Sequence, residues 1–110
     1  MRPEQRIQDR IVKMMKDKGW YIIKMHGSLY QAGFPDLFCT HANFGPRLVE
    51  IKNPESYHFT AAQEVVFPEL SKNGTGIWIL VDDTKAEYEK LFRKPNWTHY
   101  LRVMKHNARF

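Results

Sequence analysis

A single cysteine, Cys39, stands in the 110 residues. It excludes an intrachain disulfide and leaves no cysteine framework for zinc. The five histidines, His26, His41, His58, His99 and His106, lack metal-ligand spacing. No apolar run approaches the roughly 20 residues of a membrane span. The opening MRPEQRIQDR is charged throughout, without the apolar core of a signal peptide. These absences lead us to expect a protein of the reducing cytoplasm. Repeats, low-complexity tracts and linkers are missing too, so one domain over residues 1–110 is expected.

What is present supports a folded core: 43% hydrophobic and 14% aromatic residues. Seventeen Lys and Arg face 12 Asp and Glu, a net charge of +5. This balance favours a polyanionic partner without proving one.

Ile7, Ile11, Met14 and Met15 follow the i, i+4, i+7, i+8 spacing of an amphipathic helix over Glu4 to Lys18, stopped by Gly19. Glu4 falls on the same face as that stripe, and an acid in a first helical turn is favourable in any case. Trp20 to Met25 reads as a strand. His26 to Pro35, with two glycines and a proline, is a loop. Asp36 to Thr40 and Arg47 to Lys52 then read as two antiparallel strands. Thr60-x-x-Gln63 has the spacing of a capping box, opening a helix that reaches about Leu70 or Ser71, with Pro68 free to kink it. Ile77 to Val81 is a strand buried on both faces. A third helix spans Thr84 to Phe92, with Asp83 or Thr84 as its cap. Thr98 to Met104 is expected to be a short edge strand before a frayed basic tail.

The chemistry concentrates in Gly33-Phe34-Pro35-Asp36-Leu37 and Val49-Glu50-Ile51-Lys52. Residues two apart on a strand share a face. Charges inside apolar strands cost desolvation unless something compensates them. Asp36 and Glu50 on neighbouring strands offer hard oxygen ligands suited to one Mg2+, with the backbone carbonyl of Ile51 as a third ligand. Such an ion polarises a phosphodiester and acidifies a bound water. Lys52 beside it would stabilise transition-state charge or position the attacking water. The competing reading makes Glu50 and Lys52 a same-face ion pair and Pro35-Asp36 a turn. Each feature alone is weak, whereas their combination at hairpin distance in a basic chain favours the site.

Pro35-Asp36 followed by Glu50-Ile51-Lys52 resembles the PD-(D/E)XK nuclease pattern. The stretch GFPDLFCTHANFGPRLVEIKNPESYHFTAAQ is similar to the VRR-NUC branch of that superfamily. The resemblance runs from Glu4 to about Leu91. It implies a restriction-endonuclease-like α/β fold, an αβββαβ core on a central mixed sheet flanked by helices. It further implies Asp36 and Glu50 as metal ligands, Lys52 as the catalytic lysine and Glu4 as an additional acid facing the site. Gln63 would be the glutamine at the start of the following helix. The implied activity is Mg2+- or Mn2+-dependent hydrolysis of DNA, leaving 5′-phosphate and 3′-hydroxyl ends. The implied substrate is branched DNA such as Holliday junctions. Two symmetric cuts imply a homodimer, with Trp97, Tyr100 and Leu101 or the third helix as candidate contacts.

A different class of function is a non-catalytic DNA-binding or assembly module that keeps the fold. Buried like charges that repel without metal argue against it. A nuclease acting on RNA or single strands lacks a recognisable stacking motif. Tyr30, Phe34, Tyr57 and Phe59 flank the site and either contact unstacked bases or pack locally. Tyr57, His58 and Lys72 are candidate phosphate contacts, and His26 reads as a structural histidine.

Overall fold

The computed structural model describes residues 2–25 and 32–107, with side chains to residue 105. Helix α1 (Pro3–Asp17) begins with proline, whose missing N–H costs nothing in a first turn. It buries Ile7, Ile11, Val12 and Met15. Gly19, at φ +94°, turns the chain out of the helix.

Strands β1 (Tyr21–Lys24), β2 (Leu37–His41) and β3 (Gly45–Ile51) form an antiparallel meander. Helix α2 (Ala61–Lys72) then crosses over to β4 (Ile77–Leu80), which pairs parallel to β3. The sheet order is β1-β2-β3-β4. Helix α3 (Lys85–Glu89) runs into a 3-10 turn (Lys90–Phe92), and α4 (Trp97–Asn107) follows. Among the described residues no helix is long and apolar enough to cross a membrane.

The sheet separates two cores. Leu37, Cys39, Val49, Ile51 and Leu80 face α1 with Leu91, whereas Leu48, Ile77 and Ile79 pack with Phe59, Phe67 and Trp97 on the side of α2 and α4. Strand alternation produces this division, and each fully buried aliphatic contributes about 1.5–3 kcal/mol. β4 is thus buried on both faces, as its continuous apolar run predicts.

The structure corrects two expectations. Thr98 to Met104 is helical, within α4, because Trp97, Tyr100, Leu101 and Met104 form one apolar stripe seated on the second core. Trp97 is buried there, so it is removed from the candidate dimer contacts. As expected, α2 opens on the Thr60 cap and reaches Lys72, passing through Pro68. Asp82 and Asp83 sit 3.9 and 3.8 Å from Arg10, and of the two expected caps of α3 it is Thr84 that accepts the Glu87 N–H.

The free edge of β4 is closed by a side chain. Asn96 Oδ1 accepts the Ile79 N–H at 2.6 Å, and Asn96 Nδ2 donates to the Ile79 carbonyl at 3.1 Å. The amide imitates a neighbouring strand and blocks edge pairing there.

Candidate active site at the end of the β2–β3 pair

Asp36 lies just before β2, and its position is set by the preceding turn. Gly33 takes φ +83°, and a Cβ there would meet the Ala62 backbone at 2.6 Å. Only glycine combines that conformation with so close an approach to α2. Pro35, fully buried, then leads the chain into the strand.

The two charged arms clasp each other beyond the Leu37–Val49 pairing. The Asp36 N–H donates to Glu50 Oε1 at 3.1 Å, and the Ile51 N–H donates to Asp36 Oδ2 at 2.8 Å. Each carboxylate therefore fixes the other arm's backbone. On the α2 side, Gln63 Nε2 and Lys52 Nζ donate to Glu50 Oε2 at 2.9 and 3.1 Å. Glu50, Lys52 and Gln63 retain only 3%, 4% and 8% of their exposure.

Lys52 has three N–H donors, and each finds an acceptor. Besides Glu50, its ammonium donates to the His58 carbonyl at 2.7 Å and Gln63 Oε1 at 3.0 Å. It also lies 4.6 Å from the centroid of the Phe59 ring, a cation–π contact. Gln63 is shared between the site and its helix. Its Oε1 accepts the Thr60 N–H, while its own N–H donates to Thr60 Oγ1, both at 3.1 Å. The capping box that starts α2 thus also orients Glu50 and Lys52. The helix N-terminus beside them favours negative charge.

Burial, before any other cause, raises both carboxyl pKa values. Glu50 is pushed up to about 7 by desolvation and then by Asp36, against Lys52 and Gln63, which hold it down. Asp36 is raised by burial and, less, by the charge of Glu4, while the Ile51 amide, Lys52 and a hydrogen bond with Glu50 oppose the rise. The array therefore retains a proton at a pH where isolated carboxyls have lost theirs.

Asp36, Glu50, Ile51, Lys52 and Gln63 are thus brought together. Glu4 is not in that cluster: residues 2–6 of the chain are exposed, and Glu4 acts on Asp36 through charge. The packed stripe of α1 begins at Ile7, so Glu4 stands exposed ahead of it with its charge still reaching Asp36. Among the described residues no three His, Cys, Asp or Glu side chains converge to hold a metal. The donor chemistry nevertheless fits Mg2+, which takes one or two carboxylates and fills its octahedron with other oxygens. The Ile51 N–H faces Asp36, and in a strand the carbonyl of the same residue faces the same side.

The flanking aromatics pack locally. The Tyr57 hydroxyl donates to the Tyr100 carbonyl at 2.8 Å, Phe59 meets Phe67 edge-on, and Phe34 lies against the second core. The His58 side chain and Lys72 are exposed, while His26 and Tyr30 lie outside the described residues. Sequence reasoning missed the His58 carbonyl, Phe59 and Thr60 as the cradle of Lys52. The capping-box spacing carried half of that signal, since it places Thr60 and Gln63 in one turn.

No family model and no curated protein matches the chain. A solved structure described as a VRR_NUC domain matches with a TM-score of 0.68 at 17% identity, over 84% of this chain and 98% of that one. The shared mixed sheet with flanking helices shows that this chain has the restriction-endonuclease-like fold of a VRR_NUC domain.

Proposed function

We propose that this protein is a metal-dependent DNA endonuclease, structure-selective for branched DNA such as Holliday junctions and active as a homodimer. The observation that carries the reading is the buried array of Asp36, Glu50, Lys52 and Gln63 at the end of the β2–β3 pair. Burial raises the pKa of both carboxyls and the Asp36 charge raises that of Glu50 further, a cost that a bound cation would turn into binding energy. The VRR_NUC fold supports the class of chemistry.

Asp36 and Glu50, with the Ile51 carbonyl, would hold Mg2+ or Mn2+, and Glu4 would supplement their charge from α1. Bound there, the ion supplies Lewis-acid polarisation of a phosphodiester and a lowered pKa for a coordinated water. The protein's own residues do the rest. Gln63 fixes the Glu50 carboxylate from α2, so the acid need not reorganise as charge develops. Lys52, held beside Glu50, exchanges one of its three hydrogen bonds for a phosphate oxygen and offsets the growing negative charge. Cleavage at two symmetric positions of a junction requires two sites, which a C2 dimer provides.

The test is incubation of labelled four-way junction, flap and linear duplex DNA with the protein in Mg2+. Asp36→Ala, Glu50→Ala and Lys52→Ala are compared in parallel, with sedimentation to count the subunits. Metal-dependent cutting lost in all three variants, with DNA affinity retained, is the expected result. Normally folded variants that cut like the wild type would overturn the assignment. Tight DNA binding with neither cleavage nor metal uptake would identify a non-catalytic module instead.

A further inference from the structure

The net charge of +5 is not spread over the chain. Residues 90–110 hold six of the 17 Lys and Arg and none of the 12 Asp and Glu, so residues 1–89 hold 11 bases against 12 acids. All the net basicity therefore belongs to the C-terminal segment, and an asymmetry of this kind marks a polyanion-binding face.

The fold gathers this segment into a shaped surface. The 3-10 turn, the connection after it and the start of α4 enclose a concavity of about 280 Å3 lined by Lys90, Arg93, Lys94, Asn96, His99 and Tyr100. Lys90 is committed to Glu87 and to the Tyr100 hydroxyl. Arg93, Lys94 and, on the outer face of α4, Arg102 are exposed and form no ion pair among the described residues. Helix α4, of 11 residues, opens at the concavity with no acid in its first turn. Asn96, placed where a side-chain cap would stand, spends its amide on Ile79. A helix start with neither an acid nor an Asn96 cap adds partial positive charge to the basic groups around it.

From this concavity α4 runs toward the site. Met104 Sδ accepts the Phe59 N–H at 3.0 Å, beside the cradle of Lys52, and Lys105 pairs with Glu64 of α2 at 3.0 Å. Asn96 to Met104 spans about 12 Å of helix at 1.5 Å per residue. That distance corresponds to roughly three to four nucleotides of one strand at 3.4 Å each.

We propose that the concavity at the start of α4, continued by Arg102, is the docking site for a nucleic-acid backbone phosphate, remote from the acid pair and independent of metal. The identity of the ligand rests on the nuclease reading; the anion site rests on the charge and shape of the C-terminal unit.

The test is fluorescence anisotropy of labelled duplex and four-way junction DNA in EDTA, across a salt series, for the full chain. Arg93→Glu/Lys94→Glu and the milder Arg93→Ala/Lys94→Gln are compared with Lys13→Ala/Lys16→Ala, which removes two exposed cations from α1, outside the concavity. The milder C-terminal pair should weaken binding by about tenfold at low salt and flatten the log–log salt slope by about two, one for each lost phosphate contact. The charge reversal should weaken it further, and the α1 pair should leave both quantities near wild type. Melting curves confirm that each variant is folded. Wild-type affinity and slope in both C-terminal variants would overturn the proposal, as would loss of binding confined to the α1 pair. Because metal is absent, loss of binding in the C-terminal variants upholds this site even if the protein never cuts DNA.

Discussion

Replacing Glu50 with glutamine should change how the stability of the metal-free protein depends on pH. Glu50 titrates at about 7 in the fold against an ordinary value of 4.5. The difference corresponds to about 3 kcal/mol at roughly 1.4 kcal/mol per pH unit. The sign follows from proton counting. Between pH 4.5 and 7 the folded chain keeps a proton that the unfolded chain has released, so stability falls as pH rises and the contribution is lost above pH 7. Asp36, raised in the same direction, deepens the fall. Absolute stability is a poor readout, because glutamine also leaves the Lys52 ammonium without its carboxylate partner. The slope isolates the titration. Urea unfolding in EDTA between pH 5 and 8, which spans most of that difference, should show the wild type losing about 2.5 kcal/mol relative to Glu50→Gln. At pH 8, Mg2+ at a hundredfold excess over its Kd should return about 2.7 kcal/mol to the wild type by binding only the native state, and less to the variant. Parallel stability curves for the two proteins would refute the burial argument.

Four further outcomes test the surrounding structure. Thr60→Val, which removes the hydroxyl that caps α2, should cost about 1 kcal/mol in urea unfolding and also lower cleavage, since the Gln63 N–H loses its acceptor and the turn that aims its side chain loosens; Thr60→Ser should restore both. Thr84→Val removes the equivalent cap from α3 and should lower stability without touching cleavage. Gly33→Ala should destabilise by more than about 1 kcal/mol by thermal melting, because a methyl group meets the Ala62 backbone at a positive φ. Asn96→Ala should cost about 1–3 kcal/mol by leaving Ile79 unsatisfied, and should promote aggregation through the opened β4 edge, read by light scattering.

The β2–β3 clasp was legible because two periodicities agree. Asp36 and Phe38 alternate with Leu37 and Cys39, and Glu50 and Lys52 alternate with Val49 and Ile51, so strand geometry alone puts the charges on one face. For Glu4, helical periodicity gives only the angle around the axis; that its turn stands exposed while its charge reaches Asp36 is read from the structure. Helix α4 was misread because Trp97, Leu101 and Val103 also suit a strand, and tertiary contact with Phe67 and Phe59 decides between the two periods. Both roles of Gln63 are legible, the cap from its spacing and the site glutamine from the resemblance, but how one side chain serves both is not. A capping box needs its side chain only as an acceptor, and the donor end, free to reach Glu50, appears only when α2 docks on β3.

The layout separates attraction from chemistry. Asp36 and Glu50 sit in a body whose 11 basic residues do not outweigh its 12 acids. Long-range attraction of a polyanion to that body is weak, and its buried lysine is occupied by its own neighbours. The C-terminal unit carries the opposite balance and is bonded directly to the turn that cradles Lys52. If DNA is gathered there first, high salt should abolish binding long before it disturbs the array, because exposed charges are screened and buried hydrogen-bonded ones are not. Raising salt should therefore increase KM for DNA steeply while leaving kcat at saturating DNA nearly constant. A kcat that falls in step with affinity would place the salt-sensitive charges inside the chemistry itself.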